Sequence, residues 1–384
     1  MSADLKIFHD FTNLSFLEVK VDEYPILNGD LMTLQIDQSF NVGGVVAKLE
    51  FKDTFDIFNN SVTTINNDNT VSISFKDFSE KSYVRTFKIK DISHRKYNER
   101  FRIVSLTLID AITMKLSQTH IDKYIKGDTA QAIKALITEV CGTEISKDLM
   151  SIDAIGNEES ATGNMLCNSS QNCLEFIRSK LSKYNLRMFQ TRNKIYIKEL
   201  KPSTLTSFEY KFTDKVMNNK YIYKIHDREQ FTSNNIGTPK TTNYRITGKS
   251  VNTNTKNFED VKGDLILNTN NSVDTSKLQG QSGKMITQAA STEGQQKMKL
   301  FDSYMNSNRM QLAVCGTVES GNIDTVIDVE FSGLVGFSDL TTEGDTMNSG
   351  KYYIVGVSDL IIGMKYIQRL TLSRAENLQP RDLS

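Results

Sequence analysis

The amino-acid sequence predicts a mainly β protein with α+β character, in which two small antiparallel β-barrels are separated by an α/β helix-hairpin module. Three observations predict this architecture. Residues 1–115 alternate apolar and polar side chains, residues 128–183 carry apolar residues at helical spacing, and alternation returns toward the C-terminus. A period of two places one face of a strand inward, whereas a period of 3.6 places one face of a helix inward.

The first β region, residues 1–115, is predicted to form the first barrel. Polar turns such as Asn66–Asn69 and Lys96–Glu99 separate its strands. Gly43 and Gly44 are expected to relieve crowding at a strand start or a bulge rather than to cradle a ligand. Five or more consecutive strands are typical of a small antiparallel barrel. The predicted strands are Leu31–Asp37, Val45–Phe51, Val71–Phe75, Tyr83–Ile89 and Ile103–Ile109.

Residues 116–200 form the predicted α/β module. Asp128 or Thr129 can cap a first helix, and Gly142 is the expected stop. A second helix is predicted over about residues 171–183. It leads into a hairpin with strands 186–189 and 195–198 around a turn at Thr191–Lys194. The apolar residues of the first helix are Ile133, Leu136, Ile137 and Val140, and those of the second are Cys173, Phe176, Ile177 and Leu181.

The C-terminal part is predicted to be a second barrel built from residues 201–250 and 298–384. Residues 251–297, rich in Asn, Ser, Thr, Gly and Gln, are expected to be a polar insert or loop. A helix containing Met298 is predicted over about residues 292–307. The predicted strands are 221–225, 242–248, 311–318, 323–331, 352–357 and 366–372.

Composition excludes several classes of protein. Lys plus Arg and Asp plus Glu both total 46, so the net charge is zero, whereas a dedicated nucleic-acid binder usually carries a basic excess. The net charge does not test for a basic patch on one part of the surface. No run of apolar residues approaches the roughly 18 needed to span a bilayer, and the N-terminus has no apolar core of a secretory signal.

The four cysteines, Cys141, Cys167, Cys173 and Cys315, form no CxxC pair. They are expected to be reduced residues of a protein made in a cytosol, with a Cys167–Cys173 disulfide as the alternative.

Catalytic and metal-binding patterns are absent from the sequence. The histidines, His9, His94, His120 and His226, lack the spacing of metal ligands. The stretch Gly280–Lys284 is not a phosphate loop, because Leu278 and Met285 replace the required Gly and Ser or Thr. We therefore predict no catalytic residue, no cofactor-binding residue, no metal ligand and no cofactor.

Paired carboxylates at Glu158–Glu159 and at Asp227 with Glu229 are the remaining candidates for catalysis. Glycosidase chemistry needs two carboxylates that flank a sugar cleft, and the chain has no Trp to line one. Solvated charge is the favoured interpretation of these pairs, and the chain is predicted not to be an enzyme.

Four stretches carry a resemblance to a known family: Val45–Phe75, Arg85–Ala111, residues 127–140 with 171–197, and Ala313–Phe331 with Tyr352–Leu372. In their order of strands, helices and hairpin they resemble the baseplate hub proteins of contractile-tailed phages, of the T-even hub type. The related base of type VI secretion spikes shares the pattern. The resemblance covers nearly the whole chain, and residues 251–297 match least well.

The resemblance implies a structural subunit of the virion, made in the host cytoplasm and placed at the tail tip or baseplate. Two tube-like barrels in each of three chains would give a pseudo-six-fold ring that joins a six-fold tail tube to a three-fold central spike. The expected partners are two further copies, the tail tube protein, the central spike protein, the tape measure protein and the baseplate wedge. Genomic DNA would only pass through the lumen.

Two alternatives stay open. The base of a type VI-like secretion spike would carry a C-terminal needle or effector, and the end of the sequence at Ser384, soon after Leu372, favours the phage hub. A tail-associated peptidoglycan hydrolase is the less favoured alternative.

Overall fold

Three helices and 21 strands occur among the residues that the computed structural model describes. These are residues 12–40, 44–54, 65–76, 82–157, 163–167, 169–199, 206–213, 221–225, 244–251, 258–265, 298, 309–314, 323, 325–330 and 350–374. The mainly β fold class with α+β character is confirmed. The domain boundaries remain predictions.

The first β region contains eight strands, and the alternation of its residues explains which side chains are inside. In β6, for example, Val71, Ile73 and Phe75 are buried while the residues between them are partly exposed. The five predicted strands are confirmed, and three short strands at the start were not predicted. The strands are β1 Thr12–Asn13, β2 Phe16–Val21, β3 Tyr24–Ile26, β4 Leu31–Ser39, β5 Val45–Asp53, β6 Thr70–Lys76, β7 Ser82–Lys96 and β8 Arg102–Asp110.

The α/β module packs three helices against short sheets around its own apolar core. Its elements are α1 Ala111–Gln118, β9 Lys123–Gly127, α2 Thr129–Lys147, β10 Ser151–Ala154, β11 Gly163–Cys167, α3 Cys173–Lys183, β12 Leu186–Gln190 and β13 Lys194–Glu199. The β12–β13 hairpin and its turn were predicted, and Thr191 N–H donates to the Lys194 carbonyl at 2.8 Å. Helix α1 was not predicted.

The first long helix, α2, begins where it was predicted but ends later. Asp128 caps it by accepting from the N–H groups of Ala130 and Gln131. The predicted stop at Gly142 lies next to a kink: Cys141 has non-helical angles, φ −118° and ψ 17°, and a second helical stretch continues from there to Lys147. One Gly inside a helix costs only about 1 kcal/mol, so a single position of this kind bends or weakens a helix without having to end it.

The C-terminal part contributes the remaining strands. They are β14 Thr206–Thr213, β15 Tyr221–Ile225, β16 Tyr244–Val251, β17 Phe258–Leu265, β18 Arg309–Val314, β19 Thr325–Glu330, β20 Gly350–Ile362 and β21 Lys365–Arg374. Strands β16 and β17 pair with each other, so the predicted insert 251–297 contains a strand near its start. Apart from residue 298, the predicted helix at 292–307 lies outside the described residues.

One large sheet joins the two β regions. Its strand order is β15-β18-β21-β20-β4-β5-β8-β7-β6-β2-β3, with antiparallel pairing throughout this path. Strand β20 pairs with β19 through its first half and with β4 through its second half. The β20–β21 hairpin therefore belongs to both regions.

The tip of this C-terminal hairpin completes the first β region. Ile361 and Tyr366 lie in the same apolar core as the residues of β2 to β8. The short strand β1 pairs with the start of β21, and Leu14 N–H donates to the Met364 carbonyl. The next N–H group, that of Ser15, donates to Lys76 at the end of β6. Residues 12–15 thus bridge the tip of the C-terminal hairpin and the end of β6.

Within the described part of the chain, no helix is both long and apolar enough to cross a bilayer.

Candidate functional site at a buried three-part junction

A buried cluster of polar side chains lies where the first β region, the α/β module and the C-terminal hairpin meet. We call it the junction. Its members are Arg85 on β7, Asp110 at the end of β8, Gln190 at the end of β12, Arg192 in the turn between β12 and β13, and Asp359, Tyr366 and Gln368 on the C-terminal hairpin. Each of these residues is at most 7% exposed.

The first half of the junction ties the module to the first β region. Gln190 Nε2 donates to Asp110 Oδ1 at 3.1 Å and to Thr113 Oγ1 at 3.0 Å. Arg85 donates to the side-chain oxygen of the same Gln190 through Nη2. Gln190 thus uses both ends of its amide, and burial in a low-dielectric interior strengthens each of these bonds.

Asp110 is the residue at which the chain changes from strand to helix. Its Oδ1 accepts from the Thr113 N–H at 2.9 Å and caps α1, while its Oδ2 accepts from the Val45 N–H at 2.8 Å. Gly44 lies against this carboxylate: a Cβ added there would come within 2.2 Å of Thr113 Oγ1 and 2.6 Å of Asp110 Oδ2. The prediction that Gly44 relieves crowding at a strand start is confirmed.

The second half of the junction ties the module to the C-terminal hairpin. Asp359 Oδ1 accepts from Arg192 Nη2 at 2.9 Å, from the Tyr366 hydroxyl at 2.6 Å and from Gln368 Nε2 at 2.9 Å. Arg192 also donates to the Tyr366 oxygen at 2.9 Å. Three donors around one buried carboxylate oxygen are the kind of network that stabilises a buried ion pair.

Electrostatics hold these groups in fixed protonation states. Burial by itself lowers the pKa of Arg192, but the Asp359 carboxylate opposes it, so the pKa of the guanidinium is raised overall. Burial raises the pKa of Tyr366 well above its usual value, with Arg192 opposing. Burial likewise raises the pKa of Tyr83, whose ring lies beside the junction and feels the charges of Arg85 and Asp359. The two tyrosines stay protonated, and Tyr366 donates.

Aromatic contacts also join the three parts of the chain that meet at the junction. Phe40, at the end of β4, packs edge-to-face on Phe189 of β12 with 5.0 Å between ring centroids. On the first β region, Phe75 stacks on Tyr83 at 4.8 Å and lies 5.8 Å from Tyr366 of the C-terminal hairpin. Apolar packing thus surrounds the polar cluster and keeps water away from it.

The arrangement positions parts of the chain rather than reacting groups. The described residues contain no group of three or more His, Cys, Asp or Glu side chains that could hold a metal ion. His94 lies exposed on β7, and His120 lies exposed with its Nδ1 3.0 Å from the Ser169 carbonyl. His9, His226, both carboxylate pairs and the stretch 280–284 lie outside the described residues. The prediction of no catalytic residue stays a prediction.

The described cysteines, Cys141, Cys167 and Cys173, are free thiols and fully buried. Burial raises the pKa of Cys141 to about 12 and that of Cys173 to about 11. Thiols held protonated in this way are poor nucleophiles.

Sequence reasoning did not find the junction, although a signal for it exists. In the strand Tyr83–Ile89, Arg85 occupies the same inward phase as Tyr83, Phe87 and Ile89. Asp359 stands between the buried Val357 and Ile361 in the same way. A charged residue in the apolar phase of a strand indicates a buried partner, but the sequence does not say which residue that partner is.

Comparisons with known proteins by sequence give no match: no family model and no curated protein matches the chain.

Comparisons by structure do give matches. The fold is similar to that of a tail protein from Neisseria meningitidis MC58, with TM-score 0.57 and 11% identity, over 95% of this chain and 98% of that one. It is also similar to the 43 kDa tail protein of prophage MuSo2 from Shewanella oneidensis, with TM-score 0.58 and 12% identity, over 94% and 98% of the two chains.

A third structural match lies outside the tail proteins. A chain of the half-lidded Francisella PdpA–VgrG complex matches with TM-score 0.51 and 11% identity, over 97% of this chain and 60% of that one. The resemblance predicted from the sequence is thus confirmed at the level of fold: the chain has a phage tail protein fold that also occurs in the VgrG complex.

Proposed function

We propose that the protein is a structural hub subunit of a phage tail tip or baseplate. The observation that carries this proposal is the similarity of fold to two tail proteins over 94–95% of the chain. The proposed location is the virion tail, after synthesis in the host cytoplasm.

In the proposed assembly, three copies form a ring of six β regions. Such a ring offers six similar positions to a six-fold tail tube and three to a central spike, and it encloses a conduit for DNA. The pairing of β4 with β20 supports this arrangement, because it holds the two β regions of one chain side by side in one sheet. A ring in which each chain supplies two units needs that fixed relation.

The junction has a mechanical role in this proposal. Arg192 and Gln190 fasten the α/β module to the two β regions, through Asp359 and Asp110. Buried hydrogen bonds of this kind restrict the arrangements that a chain can adopt, which suits a subunit that must hold a fixed shape. The proposed neighbours are the tail tube protein, the central spike protein, the tape measure protein and the baseplate wedge.

The mass of the purified protein in solution tests the oligomeric part of this proposal. Light scattering coupled to gel filtration is expected to give three times the 43.4 kDa chain mass, alone or after addition of the tube or spike protein. A stable dimer or hexamer under all these conditions would contradict it, because two or six chains would supply four or twelve β regions.

A second candidate function is the base of a type VI-like secretion spike, which the similarity to a chain of the Francisella complex favours. The higher TM-scores of the two tail proteins, 0.57 and 0.58 against 0.51, place it second. Binding assays with tail tube protein from the same genome, and with a secretion-tube protein as the competitor, separate the two candidates. Preference for the secretion-tube protein would reverse their order.

The proposal assigns no catalytic activity to the chain. Incubation with purified cell walls is therefore expected to produce no loss of turbidity. Clearing that disappears when a carboxylate pair such as Glu158–Glu159 is changed to amides would contradict this part and assign a hydrolase.

A further inference from the structure

The hairpin between β7 and β8 extends beyond the core of the first β region. Strand β7 is 15 residues long, but its residues after Ile89 are exposed except for the half-buried Ile92. A bulge between Ile89 and Asp91 marks where β7 loses its buried face, while β8 stays paired with β5 as far as Arg102. We call residues 90–102 the arm.

The arm has an ordered tip. Asn98 Oδ1 accepts from the N–H groups of Arg100 at 2.8 Å and Phe101 at 3.1 Å. The rings of Tyr97 and Phe101 stack with 5.1 Å between centroids, although Tyr97 is 65% exposed. A tip that is already folded loses little entropy on binding, which favours its use as a docking element.

The arm is basic in a neutral chain. Its five cations, Lys90, Arg95, Lys96, Arg100 and Arg102, outnumber the carboxylates of Asp91 and Glu99, which leaves a net charge of +3. Within the described part of the chain, the side chains of Lys90, Arg95, Lys96 and Arg100 have no hydrogen-bond or ion-pair partner. Tyr and Arg are enriched where proteins bind each other.

An acidic surface of matching size lies at the β3 end of the strand order, separated from β7 by β6 and β2. Strand β3 ends the sheet, and residues 16–30 around it carry Glu18, Asp22, Glu23 and Asp30 against the single cation Lys20, a net charge of −3. We call residues 16–30 the acidic edge. Three large apolar side chains are exposed on it: Phe16 at 42%, Tyr24 at 46% and Leu27 at 52%.

The two surfaces do not cover each other within one chain, since Tyr97 and Tyr24 both stay exposed. Pro25 on β3 has no N–H to donate, which disfavours the addition of a further strand and favours contact through side chains. A contact between different surfaces of identical chains repeats from copy to copy and can close into a ring.

We propose that the arm of one copy docks on the acidic edge of a second copy of this chain. Arg95, Lys96 and Arg100 then face Glu18 and Glu23, and Tyr97 packs against Tyr24 and Leu27. This inference rests on the proposed homotrimer and specifies its contact.

Charge reversal tests the contact. One variant carries Arg95→Glu, Lys96→Glu and Arg100→Glu, and a second carries Glu18→Lys and Glu23→Lys. A third combines all five changes. The matched control, Lys126→Glu, Lys134→Glu and Lys147→Glu, makes the same change in net charge as the first variant on the α/β module. Sedimentation velocity at low and high salt measures association, and circular dichroism checks folding.

Each single-surface variant is expected to weaken association at low salt by at least about tenfold, since like charges across an interface repel. The variant with all five changes is expected to recover association. The control variant on the α/β module is expected to associate as strongly as the unchanged protein. A trimer that persists in both single-surface variants would overturn the inference and leave the trimer standing. A wild-type protein that stays monomeric on its own would overturn the self-contact, while the mass measured with the tube or spike protein added would decide separately on the proposed trimer.

Discussion

The core of the first β region and the junction are equally buried, but they are built from opposite kinds of side chain. The core holds apolar residues from β2 to β8 and from the C-terminal hairpin, such as Ile73 and Ile361. The junction holds two arginines, two aspartates and two amides within hydrogen-bonding distance of one another. Apolar burial is non-directional, so any close packing stabilises the folded state. A buried ion pair stabilises only the arrangement in which both charges meet, and other arrangements leave a charge buried without a partner.

This difference explains how the two ends of the chain find each other. Apolar alternation would allow the C-terminal hairpin to bury its inner face against many positions of the sheet. Asp359 restricts that choice, because its carboxylate must meet Arg192 of the α/β module, while Tyr366 and Gln368 of the same hairpin orient it. We infer that the core supplies most of the stability and that the junction fixes the hairpin against the module. Substitutions in the junction are therefore expected to destabilise by leaving a charge unpaired, and substitutions in the core by leaving a cavity.

The largest effect is expected from breaking the ion pair on one side. Asp359→Asn leaves the charge of Arg192 buried without its counter-ion, which should lower the free energy of unfolding by about 3–5 kcal/mol. Thermal unfolding followed by circular dichroism measures the loss. The control replaces both partners, Asp359→Leu with Arg192→Met, and should recover most of the stability. If the double variant is less stable than Asp359→Asn, the ion pair is not the source of the effect.

A cavity in the core should have a slightly smaller effect. Ile73 is fully buried, so Ile73→Ala is expected to cost about 2–5 kcal/mol through lost burial and the space left behind. Ile155→Ala is the matched control, since Ile155 is 54% exposed and its side chain contributes little. Equal losses in the two variants, measured by urea unfolding, would contradict the placement of the core.

Two glycine substitutions should have effects of opposite sign. Gly44→Ala forces a Cβ against Asp110 and Thr113, beside the junction, and should cost about 1–3 kcal/mol. Gly142→Ala adds a methyl group to α2 where no atom lies within 4 Å, and should stabilise by about 0.5–1 kcal/mol. Melting temperatures of the two variants that move in the same direction would contradict this reasoning.

The smallest effect concerns Asp148, which lies next to the junction and accepts from Thr86 Oγ1 at 2.7 Å. Burial raises its pKa above the ordinary value of a carboxyl. The folded protein therefore holds this proton at pH values where the unfolded chain has released it, so stability falls as the pH rises from about 4 through the raised pKa. Asp148→Asn removes the titration.

The melting temperature of Asp148→Asn minus that of the wild type is accordingly expected to increase between pH 4 and pH 7. A difference that stays constant, or one that shrinks with rising pH, would show that burial does not control this carboxyl.

Local patterns in the sequence predicted most of the strands and helices. They did not predict which distant parts of the chain contact each other. Alternation identified β4 to β8, and the cap at Asp128 located the start of α2. The pairing of Leu34 with Ile361 joins residues near opposite ends of the chain, and no local pattern specifies it. The strands β1 to β3 and the helix α1 were missed: β1 and β3 are too short to show a period, whereas β2 alternates regularly over six residues and could have been found.

The junction was missed for a related reason. The inward phase of Arg85 and Asp359 is visible in the sequence, but the choice of partners depends on how the β12–β13 hairpin packs against the sheet.

The most direct test of the proposed function is the number of copies of this chain at the tip of an isolated tail. Cryo-electron microscopy of tails that contain the protein should show one ring of three copies, in which the two β regions of each copy alternate around the lumen. Six copies in that ring would contradict the account, because the second β region would then not be needed to match a six-fold tube.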